Sequence, residues 1–127
     1  MDGYGNRTGF HITARDQLRF NRWLAHEAHI RGMAAGLKND PEQAPSLVRS
    51  FQWVLTEDCA RDGWCGQEEP FIRARKPVFA VEYIEHTSRY AFVTRDCAQA
   101  RRLHIVTLLK RLKLDAWRMG CAPTRLH

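Results

Sequence analysis

The residues with most chemical reach stand where apolar runs end. Met33–Leu37 runs into Lys38, Asn39 and Asp40, and Phe51–Leu55 into Thr56, Glu57 and Asp58. Pro77–Val81 runs into Glu82 and Tyr83, and His104–Leu109 into Lys110. If those exits share one face, they assemble a hydrophilic site containing carboxylates. That set fits acid–base chemistry. Hydrolysis of a glycosidic bond, for example, normally uses two carboxyl groups, one donating a proton and the other acting as nucleophile or base. Glu57 and Glu82 come from neighbouring runs, and Asp2 can approach from the opening loop. Any strand leaving a core exits through polar residues, so one such end says little. Four in series, two with glutamate, point to a site.

The elements that must position these residues alternate. Thr13 with Asp16 three residues on reads as a helix N-terminus, and Gly32 is placed to stop that helix. Met33–Leu37 is a short, wholly apolar strand of the kind buried on both faces of a parallel sheet. A second helix spans Pro41–Arg49, a third Glu69–Arg75 and a fourth Asp96–Leu103. Strands are expected at Phe51–Leu55, Pro77–Val81 and His104–Leu109, and a loop from Lys110 onward. This alternation is the signature of an α/β fold with a parallel sheet. A doubly wound sheet can be complete at this size. A (β/α)8 barrel cannot, since it needs eight strands and roughly 250 residues. The chain opens on a loop without a strand of its own, as a barrel cut near its middle would.

The 127 residues suit one domain with a sizeable core. No run approaches the roughly 20 apolar residues of a membrane span, and the opening residues show no signal-peptide pattern. The net charge of +6 admits a nucleic-acid partner, but Arg and Lys are spread along the chain. The densest group is Arg101, Arg102, Lys110, Arg111 and Lys113. A solvated basic surface is the expected reading. His26 and His29 share a helix face without a third ligand, so neither a metal nor a cofactor is expected. Cys59, Cys65, Cys97 and Cys121 make an even set that fits two disulfides and an oxidising compartment. Cys59 and Cys65 flank the loop after Glu57, and Cys97 and Cys121 bracket the last strand. Other pairings remain open.

Taken in order, these residues resemble a known family. The segments are Asp2-Gly3-Tyr4, Asn6-x-Thr8-Gly9-Phe10, Thr13-Ala14-x-Asp16-Gln17-Leu18 and Phe20-Asn21-Arg22-Trp23-Leu24-Ala25. They continue with Ala28-His29-x-Arg31-Gly32, Gly36-Leu37-Lys38-Asn39-Asp40, Glu57-Asp58-Cys59 with Cys65, and Pro70-Phe71. Lys76 to Tyr83 and Leu114-Asp115-Ala116-Trp117 with Cys121 complete the set. Together they resemble glycoside hydrolase family 114, whose characterised members are endo-α-1,4-polygalactosaminidases.

The resemblance implies the C-terminal half of a (β/α)8 barrel that begins just after the fourth strand, in a secreted or surface-anchored protein. It makes Glu57 one of two catalytic carboxylates and places the second, an aspartate, upstream of Met1. Asp2, Lys38, Asn39, Asp40, Glu82 and Tyr83 become substrate contacts, and a galactosamine polymer the partner. Two other readings stand beside this one. A non-catalytic carbohydrate-binding half-barrel would expose its strand edges unless it self-associates. A basic nucleic-acid binder would lose its partner at high salt.

Overall fold

The computed structural model describes residues 1–121. After a 3-10 turn at Gly3–Gly5, α1 spans Ala14–His29, β1 Gly36–Lys38, α2 Ala44–Leu47 and β2 Trp53–Glu57. Two short helices follow, α3 at Cys59–Asp62 and α4 at Glu69–Arg73, and then β3 at Val78–Tyr83. A last helical segment runs as α5 (Arg89–Ala91), a π-turn (Phe92–Asp96) and α6 (Cys97–Leu103), ahead of β4 (Val106–Lys110) and β5 (Met119–Gly120).

The start of α1 follows from its sequence. Thr13 accepts from the Asp16 amide, and the Asp16 carboxylate accepts from the Thr13 amide, so a capping box closes two otherwise orphaned donors. Gly32 ends the helical path with φ +72°, and the Met33 amide folds back onto the Ala28 carbonyl at 3.0 Å. Met33 therefore belongs to the helix's closing turn, not to a strand, and it is exposed. The first strand is accordingly Gly36–Lys38, later than the apolar run implied.

β1 to β4 are parallel and lie in chain order, β1-β2-β3-β4. That order decides between the two architectures. Right-handed crossovers between consecutive neighbours place every helix on the same side of the sheet. A doubly wound sheet needs its order to reverse at a switch point, and this one does not reverse. The helix-covered side is the core: Leu37, Val54, Val78 and Ala80 are buried there against Ala25, Leu47, Phe71 and Ala100, and Leu109 against Phe92 and Cys97. The other side carries Trp53, Leu55, Phe79, Val81, Val106 and Leu108, none of them fully buried. On it the Trp53 indole lies so close over Gly36 that a Cβ there would sit 2.1 Å from the ring. β5 was expected as loop, yet it pairs antiparallel with Leu108 and Leu109 of β4.

Both disulfides form, Cys59–Cys65 and Cys97–Cys121. The second holds the segment after β5 against the start of α6.

Candidate active site

Strand alternation selects the rim. On the side of the sheet away from the helices, Lys38, Glu57, Tyr83 and Lys110 are the last residues of β1 to β4. Lys38 is level with Leu55, Glu57 with Val81 and Tyr83 with Lys110. Moving from β1 to β3, each strand thus carries its polar end one pleat further than its neighbour.

Glu57 is the meeting point. Lys38 Nζ donates to Glu57 Oε2 at 2.5 Å, and Tyr83 Oη donates to Glu57 Oε1 at 2.5 Å. The Glu57 main-chain amide donates to Asn39 Oδ1 at 3.0 Å. Burial alone would raise the Glu57 carboxyl. The two side-chain hydrogen bonds and the Lys38 charge outweigh it and hold the group below the usual glutamate value. The Tyr83 phenol moves the opposite way, raised by burial and by donating to Glu57.

Beside this group lies an open cavity of about 420 Å³, lined among others by Asp2, Tyr4, Asn39, Asp40, Glu42 and Trp64. Asn39 borders both the cavity and Glu57. Asp40 is 1% exposed. It accepts from Tyr4 Oη at 3.0 Å and from Asn21 Nδ2 at 3.1 Å, and burial lifts it to about 6. Tyr4 also donates to Glu42. Asn39, Asp40 and Asp58 all adopt left-handed backbone, at φ 54°, 65° and 54°. Such conformations are uncommon without glycine and cluster at functional sites. Here they mark the exits of β1 and β2.

Glu82 stands apart. As the neighbour of Tyr83 it points to the helix side, where it is fully buried. Its oxygens accept from the Ala60 and Arg61 amides at 2.8 and 3.1 Å, so it supports the start of α3 behind Glu57. Burial raises it to about 7 against the pull of those two bonds. Cys59, Cys65 and Glu82 are close enough to suggest a metal site, but the two sulfurs are joined to each other and offer no thiolate. Lys110 turns away to the Asp115 carbonyl. His29 bonds to Gln52, and His26 sits on the same helix surface.

Several neighbours of the site carry no obvious sequence signal. His86 Nδ1 lies 2.7 Å from Asp58 Oδ2, with Arg61 3.4 Å from the same oxygen. Trp64 and Glu42 reach the cavity from turns whose shape the strand pattern does not encode.

The model of glycoside-hydrolase family GH114 matches residues 1–125. The chain belongs to family GH114. Among solved structures it is similar to Aspergillus fumigatus Ega3, crystallised as a complex with galactosamine, at 32% identity and a TM-score of 0.85. That match covers 94% of this GH114 chain and 51% of the Ega3 chain, so the chain spans about half the length of its relative. No curated protein matches it.

Proposed function

We propose that this GH114 chain is the C-terminal half of a barrel hydrolase that cleaves α-1,4-linked galactosamine polysaccharide outside the cell, with Glu57 as one of its two essential carboxylates. The observation that carries the reading is the Glu57 group, a carboxylate at the strand-end rim held by one cation and one phenol. The second carboxylate would come from the preceding strand end, as the family resemblance implies. Asp2, Lys38, Asn39 and Tyr83 are the proposed substrate contacts, with Asp40, buried beneath the cavity, acting through Tyr4. Glu82 acts from behind, by fixing the segment that follows Glu57.

The substrate would be a polycation, while this chain carries +6. Local charge answers that objection. Asp2, Asp40 and Glu42 line one cavity, and screening confines exposed charges to about 10 Å at 0.1 M salt. A protonated amino group in that cavity therefore meets carboxylates first. Of the basic residues named in the sequence, Arg101 and Arg102 end α6, at the opposite end of β4 from the rim. Lys110, Arg111 and Lys113 lie at the rim end, where Lys110 donates to the Asp115 carbonyl and Arg111 and Lys113 both pair with the Asp115 carboxylate.

The test is Glu57→Gln in the full-length protein, which keeps the shape and removes the charge. Hydrolysis of a polygalactosamine substrate is expected to fall at least a thousandfold with binding retained. Undiminished turnover would sink the assignment. Binding by both forms with turnover by neither would favour a non-catalytic carbohydrate-binding role.

A further inference from the structure

Glu57 has polar neighbours on both sides. Toward β1 lie Lys38, Asn39 and the cavity lined by Asp2, Asp40 and Glu42. Toward β3 lies a second group that the hydrolase reading leaves without a role: Asp58, His86 and Arg61. Local structure fixes it in place. Asp58 follows Glu57 directly, and its amide donates to the Val81 carbonyl at 2.8 Å, so β3 holds it. Its left-handed backbone, φ 54°, turns the chain out of β2 into α3. The His86 amide closes a turn on the Tyr83 carbonyl at 2.9 Å, which brings the imidazole back to the end of β3. There the ring meets Tyr83 edge-on, with centroids 5.8 Å apart, and Tyr83 is the phenol that donates to Glu57.

The polar contacts then orient the ring. Asp58 Oδ2 accepts from His86 Nδ1 at 2.7 Å and lies 3.4 Å from Arg61 Nη1. A carboxylate only accepts, so Nδ1 carries the proton in this pair, and the ring cannot turn without losing the bond. Nε2 has no partner among the described residues, and the side chain is 33% exposed. An imidazole with one nitrogen fixed by a carboxylate and the other open is held ready for a ligand. The chemistry of that ligand is narrow. Nε2 accepts when the ring is neutral and donates when it is charged, and a hydroxyl can answer both. An ammonium can only donate, and the Arg61 charge nearby opposes it.

We infer, resting on the hydrolase reading, that His86 is a further specificity-determining contact: its Nε2 takes a hydroxyl of the sugar on the β3 side of the bond that is cut, and Asp58 is the positioning residue that holds the ring. The carboxylates of the cavity then meet an amino group on the β1 side. A polymer cut internally needs a sugar held on each side of the bond, and the rim offers a distinct chemistry to each. The competing role for His86 is purely structural, a lock on the turn after β3 that keeps Tyr83 in place. That role acts through Tyr83 and Glu57, so it lowers the rate of the chemical step and not the affinity for one sugar.

The test uses the full-length protein and short α-1,4-linked galactosamine oligosaccharides labelled at the reducing end. His86→Ala should raise KM about tenfold, the scale of one lost hydrogen bond. It should leave kcat within about twofold, the pattern of a contact made equally in the ground and transition states. Asp58→Gly, which suits the left-handed backbone, should raise KM likewise, and Asp58→Asn, which keeps an acceptor for Nδ1–H, should restore most of it. His29→Ala, bonded to Gln52 ahead of β2 and so at the other end of the sheet, should change neither constant. His86→Ala should also move the cut along the oligosaccharide, and Asp2→Asn, in the cavity, should move it in the opposite direction. A fall in kcat with KM unchanged would make His86 a structural lock and overturn the inference. So would cuts moved the same way by both variants. Binding separates this failure from that of the hydrolase reading. In the Glu57→Gln protein, His86→Ala should weaken binding of the same oligosaccharides about tenfold. A protein that cleaves nothing but shows that loss would overturn the hydrolase reading and uphold the contact. Unchanged binding would overturn the contact.

Discussion

Glu57 keeps its charge because two donors outweigh its burial. Lys38→Met removes the nearer cation and one hydrogen bond, so the Glu57 carboxyl should titrate at higher pH. Tyr83→Phe should act in the same direction. In the full-length enzyme, the limb of the pH–rate profile governed by Glu57 is expected to move up in both variants. The rate at the optimum should fall about tenfold, less than the roughly hundredfold or more that a positioned acid–base group itself supplies. A profile that keeps its limbs in place would show that the contacts to Glu57 do not set its titration. Much of this group is legible in the sequence, because a strand turns alternate residues to opposite faces. Lys38, Glu57 and Tyr83 end their strands in phase on one face. Glu82 is one residue out of phase with Tyr83, and that parity alone sends it behind the rim. Tyr4 and Trp64 reach the cavity through chain-distant turns, and no local pattern encodes such contacts.

The elements divide in the same way. The α1 cap, its glycine stop and the four parallel strands follow from local rules. The turn that takes Met33 after α1 and the pairing of β5 depend on a backbone reversal and on a distant strand, so hydrophobic pattern alone misplaces them. The disulfides make the elements' separate roles measurable. Cys59–Cys65 closes a separation of 6 residues and Cys97–Cys121 one of 24. On the chain-entropy account, removing the first should cost about 2 kcal/mol of stability and the second about 3.5 kcal/mol. The double substitution Cys97→Ala/Cys121→Ala should therefore lower the urea midpoint more than Cys59→Ala/Cys65→Ala. Activity should show the reverse order. Cys59 begins α3, two residues after Glu57, whereas Cys97 and Cys121 hold the tail to α6. Equal losses of activity in both variants would remove any special role for the α3 loop.

For the whole molecule, the decisive property is how many acids the fold buries. Asp40 is lifted from 3.8 to about 6, and Glu68 and Glu82 each from 4.5 to about 7, all chiefly by burial. Glu68 is the extreme case. It is fully buried, neither of its oxygens has a hydrogen-bond partner among the described residues, and the Asp40 charge raises it further. A raised carboxyl binds its proton more tightly in the folded chain than in the unfolded one. Its contribution to stability is thus fully present below its unfolded value, near pH 4. That contribution is lost as pH rises through the folded value, so most of the loss falls between about pH 5 and 7. Glu57, Asp62 and Asp115 are held low and act in the opposite sense, but their losses lie on the acid side of that window. The protein should therefore melt higher at pH 5 than at pH 8. Glu68→Gln removes the ionisable group while nearly keeping its volume, so it should flatten that slope. The gain at pH 8 is bounded by the shift from 4.5 to about 7, on the order of 3 kcal/mol, with little change at pH 5. Thermal melts of both proteins across pH 4.5 to 8.5 would show this. Parallel curves would mean that Glu68 stays ionised in the folded chain, and that something the fold supplies compensates its charge.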